Sequence, residues 1–133
     1  MQFADCARSR KMVRAFQKKS VDAELLNRIV EIASWAPSAG KAQGWHLLVL
    51  QNEDTNRFWN VTLPEEKRAS FRWQHLLDAP VIALAFADPN AYLERYSEPD
   101  KASTKLGSSI ENWPTPYWTV EASFATMQLL LAA

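Results

Sequence analysis

The sequence predicts an α+β domain, and three observations carry that prediction. Apolar residues recur with helical spacing at Leu25, Leu26, Ile29, Val30, Ile32 and Ala33. Two apolar runs of strand length follow, Trp45–Leu50 and Pro80–Ala87, and both read as buried strands. From Trp118 the chain continues as a long, largely apolar helix.

The remaining elements fall between these. Residues 2 to 8 suit a short helix. Ser20 or Asp22 can cap the next helix, where Asp22 and Glu24 meet the positive end of its dipole. Pro37 marks the end of that helix, because the residue before a proline is disfavoured in α geometry. Asp54 to Val61 predicts a helix, and another starts near Pro64 with Glu65, Glu66, Lys67 and Arg68. Asp88-Pro89 opens a helix through Tyr96. Residues 97 to 117, with Pro99, Gly107, Pro114 and Pro116, read as irregular. The last helix meets no glycine, proline or basic residue that would close it. So apolar a helix needs cover on several sides, and the expectation is one domain over residues 1–133, incomplete at its C-terminus.

Composition narrows the class. A chain of 133 residues suffices for one domain with a modest core, and 47% hydrophobic with 23% charged residues is the balance of a soluble globular protein. No apolar run is long enough to cross a bilayer. Asp5 and the lack of an apolar core before a cleavage site argue against a signal peptide. The single cysteine, Cys6, leaves no intrachain disulfide and fits a reducing, cytoplasmic setting. With only His46 and His75 beside it, no metal site is expected.

Net charge is zero but unevenly spread. The first nineteen residues carry six bases and one acid, so the rest carries the balancing negative charge. Arg8, Arg10, Lys11, Arg14, Lys18 and Lys19 form a stretch without any acid, which suggests one local anionic partner. If this stretch is extended, Arg10, Met12 and Arg14 project to one side, and two guanidiniums there could clamp a phosphate. A solvated basic edge is the alternative. Nucleic-acid binding is disfavoured, because aromatics are not interleaved with these bases and the overall charge is zero.

Two further stretches invite a ligand. Ala36-Pro37-Ser38-Ala39-Gly40-Lys41-Ala42-Gln43-Gly44 is a small-residue turn between a helix and a strand, with Trp35 and Trp45 at its ends. Small residues let backbone approach a flat ligand, and Ser38, Lys41 and Gln43 add polar groups. An ordinary helix-to-strand connection is the alternative. Trp113, Tyr117 and Trp118, around two prolines, could make an aromatic ledge lining a substrate pocket, or could be core or interface. No P-loop and no G-x-G-x-x-G is present. No nucleophile is paired with a base, so no catalytic side chain is expected. A cofactor carrying the chemistry is the better option. His46, at the start of a strand, reads as structural and His75 as a surface or packing residue.

Together these motifs resemble the FMN-dependent nitroreductase family. Arg10-Lys11-Met12-Val13-Arg14-Ala15-Phe16 is similar to the family's R-x-S-x-R-x-F. Ala36-Pro37-Ser38-Ala39-Gly40-Lys41-Ala42-Gln43-Gly44-Trp45 is similar to its A-P-S-S-x-N-x-Q-P-W, and residues 78–88 and the helix from Trp118 follow in order. The segments "AYLERYSEPDK" and "WPTPYW" look most like an actinobacterial branch. The resemblance implies a nitroreductase-like sandwich, a mainly antiparallel sheet flanked by helices, dimeric with two flavins at the subunit interface. It implies FMN as cofactor: Arg10, Lys11, Met12 and Arg14 at the phosphate and ribityl chain, and Pro37, Ser38, Ala39, Lys41 and Gln43 at the ring. It implies NADH or NADPH as reductant and electron-poor small molecules, nitroaromatics or quinones, as acceptors in a ping-pong cycle. Tyr117 and Trp118 would line the substrate pocket. Dehalogenation, dehydrogenation or flavin cleavage are alternative chemistries on this fold, as is a non-catalytic flavin- or anion-binding fragment. Three residues depart from the pattern: Met12 stands for the usual Ser, Lys41 for Asn and Gly44 for Pro.

Overall fold

The structure is a computed structural model and describes residues 2–133. Six α-helices and two strands follow in order: α1 Phe3–Ser9, α2 Ala23–Ser34, β1 Trp45–Gln51, α3 Glu53–Thr62, α4 Glu65–Arg68, β2 Val81–Ala87, α5 Pro89–Tyr96 and α6 Tyr117–Ala132. The α+β expectation holds, and element boundaries agree with the sequence to within a residue or two.

Local chemistry explains those boundaries. Of the two candidate caps for α2, Asp22 does the capping: its Oδ1 accepts from the N–H groups of Glu24 at 2.9 Å and Leu25 at 3.0 Å. The helix stops at Ser34, three residues before Pro37, and tightens through Trp35 and Ala36 N–H bonds to the Ile32 and Ala33 carbonyls. Asp88 caps α5 by accepting from Asn90 N–H at 3.0 Å, with Pro89 in the first turn. The segment before α6 is three consecutive 3₁₀ turns rather than shapeless loop, at Ala102–Thr104, Leu106–Ser108 and Ile110–Asn112.

β1 and β2 pair as a two-stranded sheet, and the bond from Asp88 N–H to Gly44 O at 2.8 Å makes the pairing antiparallel. The strands are not buried as the apolar runs predict. Leu48 is 49% and Phe86 50% exposed, because alternate side chains go to opposite faces of a strand and the described residues cover one face. His46 is on an exposed position of β1, paired with Asp88.

The chain divides into two compact units. One runs through Leu26 and takes in Leu48–Leu84; the other comprises Asn27–Leu47 and Ala85–Ala133. In the first unit the basic stretch after α1 has no regular secondary structure and is tied to the segment before β2. The second unit holds the core: Ala33, Tyr92, Trp113, Ala122 and Ala125 are buried. Trp113 sits at its centre, edge to face with Tyr92, Tyr96, Tyr117 and Trp118 at 5.7, 4.7, 5.8 and 5.9 Å, and its Nε1 donates to Leu106 O. Among the described residues, no helix is long and apolar enough to cross a membrane.

Candidate flavin-facing turn and basic strap

The second unit contains the small-residue turn, and its backbone is unusual. Gly40, Lys41 and Gln43 all adopt left-handed backbone, with φ of 61°, 57° and 50°. For Lys41 and Gln43 that conformation costs roughly 1–2 kcal/mol each, so surrounding contacts must hold it. Ser38 Oγ accepts from Gln43 N–H at 2.7 Å and closes the turn. Ala39 N–H donates to Glu121 Oε1 at 2.7 Å, and Arg95 Nε donates to Gly40 O at 2.7 Å. Tyr92 OH donates to the other oxygen of Glu121.

One face of α5 moulds this turn. Arg95 and Tyr96 stand three and four residues beyond Tyr92, the spacing of neighbours on a helix surface. A Cβ on Gly40 would stand 3.0 Å from the Tyr96 ring, and one on Gly44 would stand 2.4 Å from the Tyr92 ring and 2.6 Å from Asp88 O. Gly44, where the resembling pattern has Pro, is thus the space that Tyr92 fills. Arg95 is itself oriented by Asp100, through both of its terminal nitrogens, and by Glu98, and the Asp100 carboxylate holds the guanidinium's proton more tightly than usual. Burial, then the bond to Glu121, pushes the Tyr92 hydroxyl well above its ordinary pKa. The His46 ring beside Asp88 holds that carboxyl below the usual carboxylate range.

The first unit contains the basic strap. Arg10 is half-buried, while Lys11, Met12 and Arg14 are exposed. None of Arg10, Lys11 or Arg14 has a carboxylate partner among the described residues. Arg14 lies over the Trp73 ring at 5.1 Å, Phe16 N–H donates to His75 O at 3.0 Å, and Lys18 Nζ meets Asp78 at 3.3 Å. His75 Nδ1 also meets Asp78, at 2.9 Å, and it is chiefly this contact that lowers the Asp78 pKa. Alternate residues 14, 16 and 18 therefore fasten an extended strap to the segment that carries Trp73, His75 and Asp78. An open cleft of about 380 Å³ beside Lys18–Val21 is lined by none of the candidate residues.

The candidate residues thus form two sets, each coherent within its own unit. Pro37, Ser38, Ala39, Lys41 and Gln43 make one turn; Arg10, Lys11, Met12 and Arg14 make one strap. Tyr117 is 40% exposed beside the buried Trp113, and Trp118 is half-buried in the same cluster. The sequence reading missed Tyr92, Arg95 and Glu121, the side chains that shape the turn. Glu121 carried a visible signal, since it is the one charged residue in the sixteen of α6. The chemistry of both sets suits FMN. The strap offers guanidiniums without carboxylate partners to a dianionic phosphate, and the turn offers a side-chain-poor backbone flanked by polar Lys41 and Gln43 to a flat ring. Among the described residues, no group of His, Cys, Asp and Glu could hold a metal ion.

Residues 7–133 match the model of the nitroreductase family. The chain belongs to the nitroreductase family. An NADH dehydrogenase of Thermus thermophilus is 33% identical over 82 residues, covering 62% of this chain and 37% of the relative. An iodotyrosine deiodinase of Thermotoga neapolitana is 32% identical over 111 residues, covering 70% of this chain and 60% of the relative. A crystal structure from Exiguobacterium sibiricum, provisionally described as a nitroreductase in complex with FMN, superposes with a TM-score of 0.62 at 19% identity, over 99% of this chain and 69% of that one. The chain spans 37–60% of the length of the curated relatives it matches.

Proposed function

We propose that this chain is the flavin-binding part of an FMN-dependent oxidoreductase, which takes electrons from NADH or NADPH and delivers them to electron-poor small molecules such as nitroaromatics or quinones. The observation that carries this reading is the turn at 38–43: three left-handed residues, held by hydrogen bonds from α5 and α6, in a chain of the nitroreductase family. When bound, FMN supplies the two-electron chemistry that links nicotinamide oxidation to acceptor reduction. The chain's own residues bind and tune. Arg10 and Arg14 would grip the phosphate, with Lys11 adding charge and Met12 backbone contact. Pro37, Ser38 and Ala39 would lie against the ring. Lys41 and Gln43 would meet its pyrimidine edge, where a cation or donor lowers the cost of added negative charge.

Tyr117 and Trp118 would line the acceptor's approach. The protein would work as a homodimer in the cytoplasm. Phe124, Met127 and Leu130 are 46%, 49% and 42% exposed at three-residue spacing on α6, and a second copy would cover them.

Titration with FMN, followed by quenching of tryptophan fluorescence, tests the binding. Saturable quenching with co-eluting yellow protein is expected, and folded protein that ignores FMN would overturn the reading. With nicotinamide and a quinone, parallel double-reciprocal plots are expected; converging lines would exclude a ping-pong cycle. Reductive dehalogenation is the second reading, favoured by the similarity to the deiodinase. Halide release from a halogenated phenol, faster than quinone reduction, would select it.

A further inference from the structure

Glu121 is the one charged residue of the largely apolar α6, and it is 5% exposed. A carboxylate in such a place is costly unless it is paired and hydrogen-bonded. Here no cation lies within ion-pair distance among the described residues. The two oxygens instead take the Ala39 N–H, 82 residues away in sequence, and the Tyr92 hydroxyl. An apolar residue in its place would leave both of these donors without an acceptor. What the carboxylate adds is direction. It fixes one peptide group at the point where the chain leaves extended backbone at Ser38 and enters the left-handed stretch beginning at Gly40. Arg95 fixes a carbonyl one residue further on, that of Gly40, from the opposite sense, as donor.

We propose that Glu121 and Tyr92 are positioning residues: together they brace the Ala39 peptide and so hold the 38–43 turn in the geometry that receives the flavin ring. The brace rests on the reading of this turn as flavin-facing. Glu121 orients Ala39 and touches no substrate itself. Tyr92 keeps the Glu121 carboxylate in place and, through its ring, shapes the turn's exit at Gly44.

The test reads the turn with and without cofactor. Amide hydrogen exchange of the Ala39 region is measured in the 133-residue chain for wild type, Glu121→Ala, Glu121→Gln and Tyr92→Phe. Affinities for FMN and for riboflavin, which shares the ring but lacks the phosphate, are measured in parallel. Glu121→Ala is expected to speed exchange at Ala39 and to weaken both flavins alike, each by roughly 10–100-fold, the size of one charge-assisted hydrogen bond. Glu121→Gln is expected to restore most of both, because its carbonyl can accept from Ala39 while its amide donates to the Tyr92 oxygen. Tyr92→Phe keeps the ring over Gly44 and is expected to speed exchange severalfold. Unchanged exchange at Ala39 in Glu121→Ala, or a glutamine variant as impaired as the alanine one, overturns the brace. If Glu121→Ala loses its cooperative unfolding transition, Tyr92→Phe decides, and unchanged exchange there overturns the brace as well. Should wild type ignore both flavins while Ala39 protection still depends on Glu121, the brace stands and the flavin reading falls.

Discussion

The turn at 37–44 and the strap at 10–19 are both candidate cofactor segments, yet they are built in opposite ways. The turn is held from two helices by hydrogen bonds that involve a buried carboxylate, a buried tyrosine and a clustered arginine. The strap is held from one segment by an exposed cation–π contact, one backbone hydrogen bond and a largely exposed ion pair. Surface ion pairs are individually weak and are screened by salt. The difference follows from what each would bind. A flat ring is recognised by backbone shape, which must exist beforehand to avoid an ordering cost. A phosphate is recognised by charge, and flexible guanidiniums can gather round it.

The largest expected effect lies in the turn. A Cβ at Gly44 would stand 2.4 Å from the Tyr92 ring and 2.6 Å from the Asp88 carbonyl. The ring could swing aside, but the carbonyl is backbone of Asp88, whose N–H bonds to Gly44 O and whose side chain caps α5, and it has little room to move. Gly44→Ala should therefore cost about 1–3 kcal/mol, the usual range for overpacking. Urea unfolding measures it, and a variant as stable as wild type would mean that the Asp88 backbone can shift to admit a methyl group. FMN and riboflavin affinities should fall together in this variant.

The strap should separate the two flavins. Arg10→Ala and Arg14→Ala are each expected to weaken FMN roughly tenfold, the lower end for a hydrogen bond to a charged group, while leaving riboflavin affinity unchanged. The FMN loss should shrink as salt rises. Equal losses for both flavins would break the contrast between strap and turn, because they would show that the strap shapes the ring site as well.

Local signals made most of the fold legible. Helical periodicity marked α2, Asp88-Pro89 marked the start of α5, and the two apolar runs marked the strands. The strap and turn residues could be singled out from an acid-free basic run and a run of small residues. The contacts that shape the turn were not legible, since a bond between Ala39 and Glu121 spans 82 residues and leaves no periodic trace. Left-handed backbone was legible only at Gly40; Lys41 and Gln43 are not residue types that announce it. The exposure of Leu48 and Phe86 was also hidden, because an apolar run states which residues avoid water but not which layer covers them.

Lys41 sharpens the comparison further. Its left-handed backbone costs roughly 1–2 kcal/mol, which glycine would relieve, while glycine would also loosen the unfolded chain by about 0.4–1 kcal/mol. Lys41→Gly should thus leave thermal stability unchanged or slightly raised and still lower flavin affinity, if Lys41 is the cation proposed for the ring's edge. A clear loss of stability would show instead that the Lys41 side chain holds the turn.

The smallest expected effect concerns how the strap is fastened. Contact with His75, and secondarily with Lys18, holds the Asp78 carboxyl below its usual range. A carboxylate whose folded pKa is depressed contributes stability above its unfolded value, near 3.9. That contribution fades as pH falls through the lower folded value. Asp78→Asn should therefore melt slightly below wild type from neutral pH down to about 4, and the gap should close on further acidification. The pair is largely exposed on the Lys18 side, so the gap should also narrow in high salt. A gap that widened below about pH 4, where the carboxylate itself is being protonated, would mean that Asp78 fastens the strap through something other than its charge. The same variant should leave riboflavin affinity untouched, since the turn has its own supports in α5 and α6.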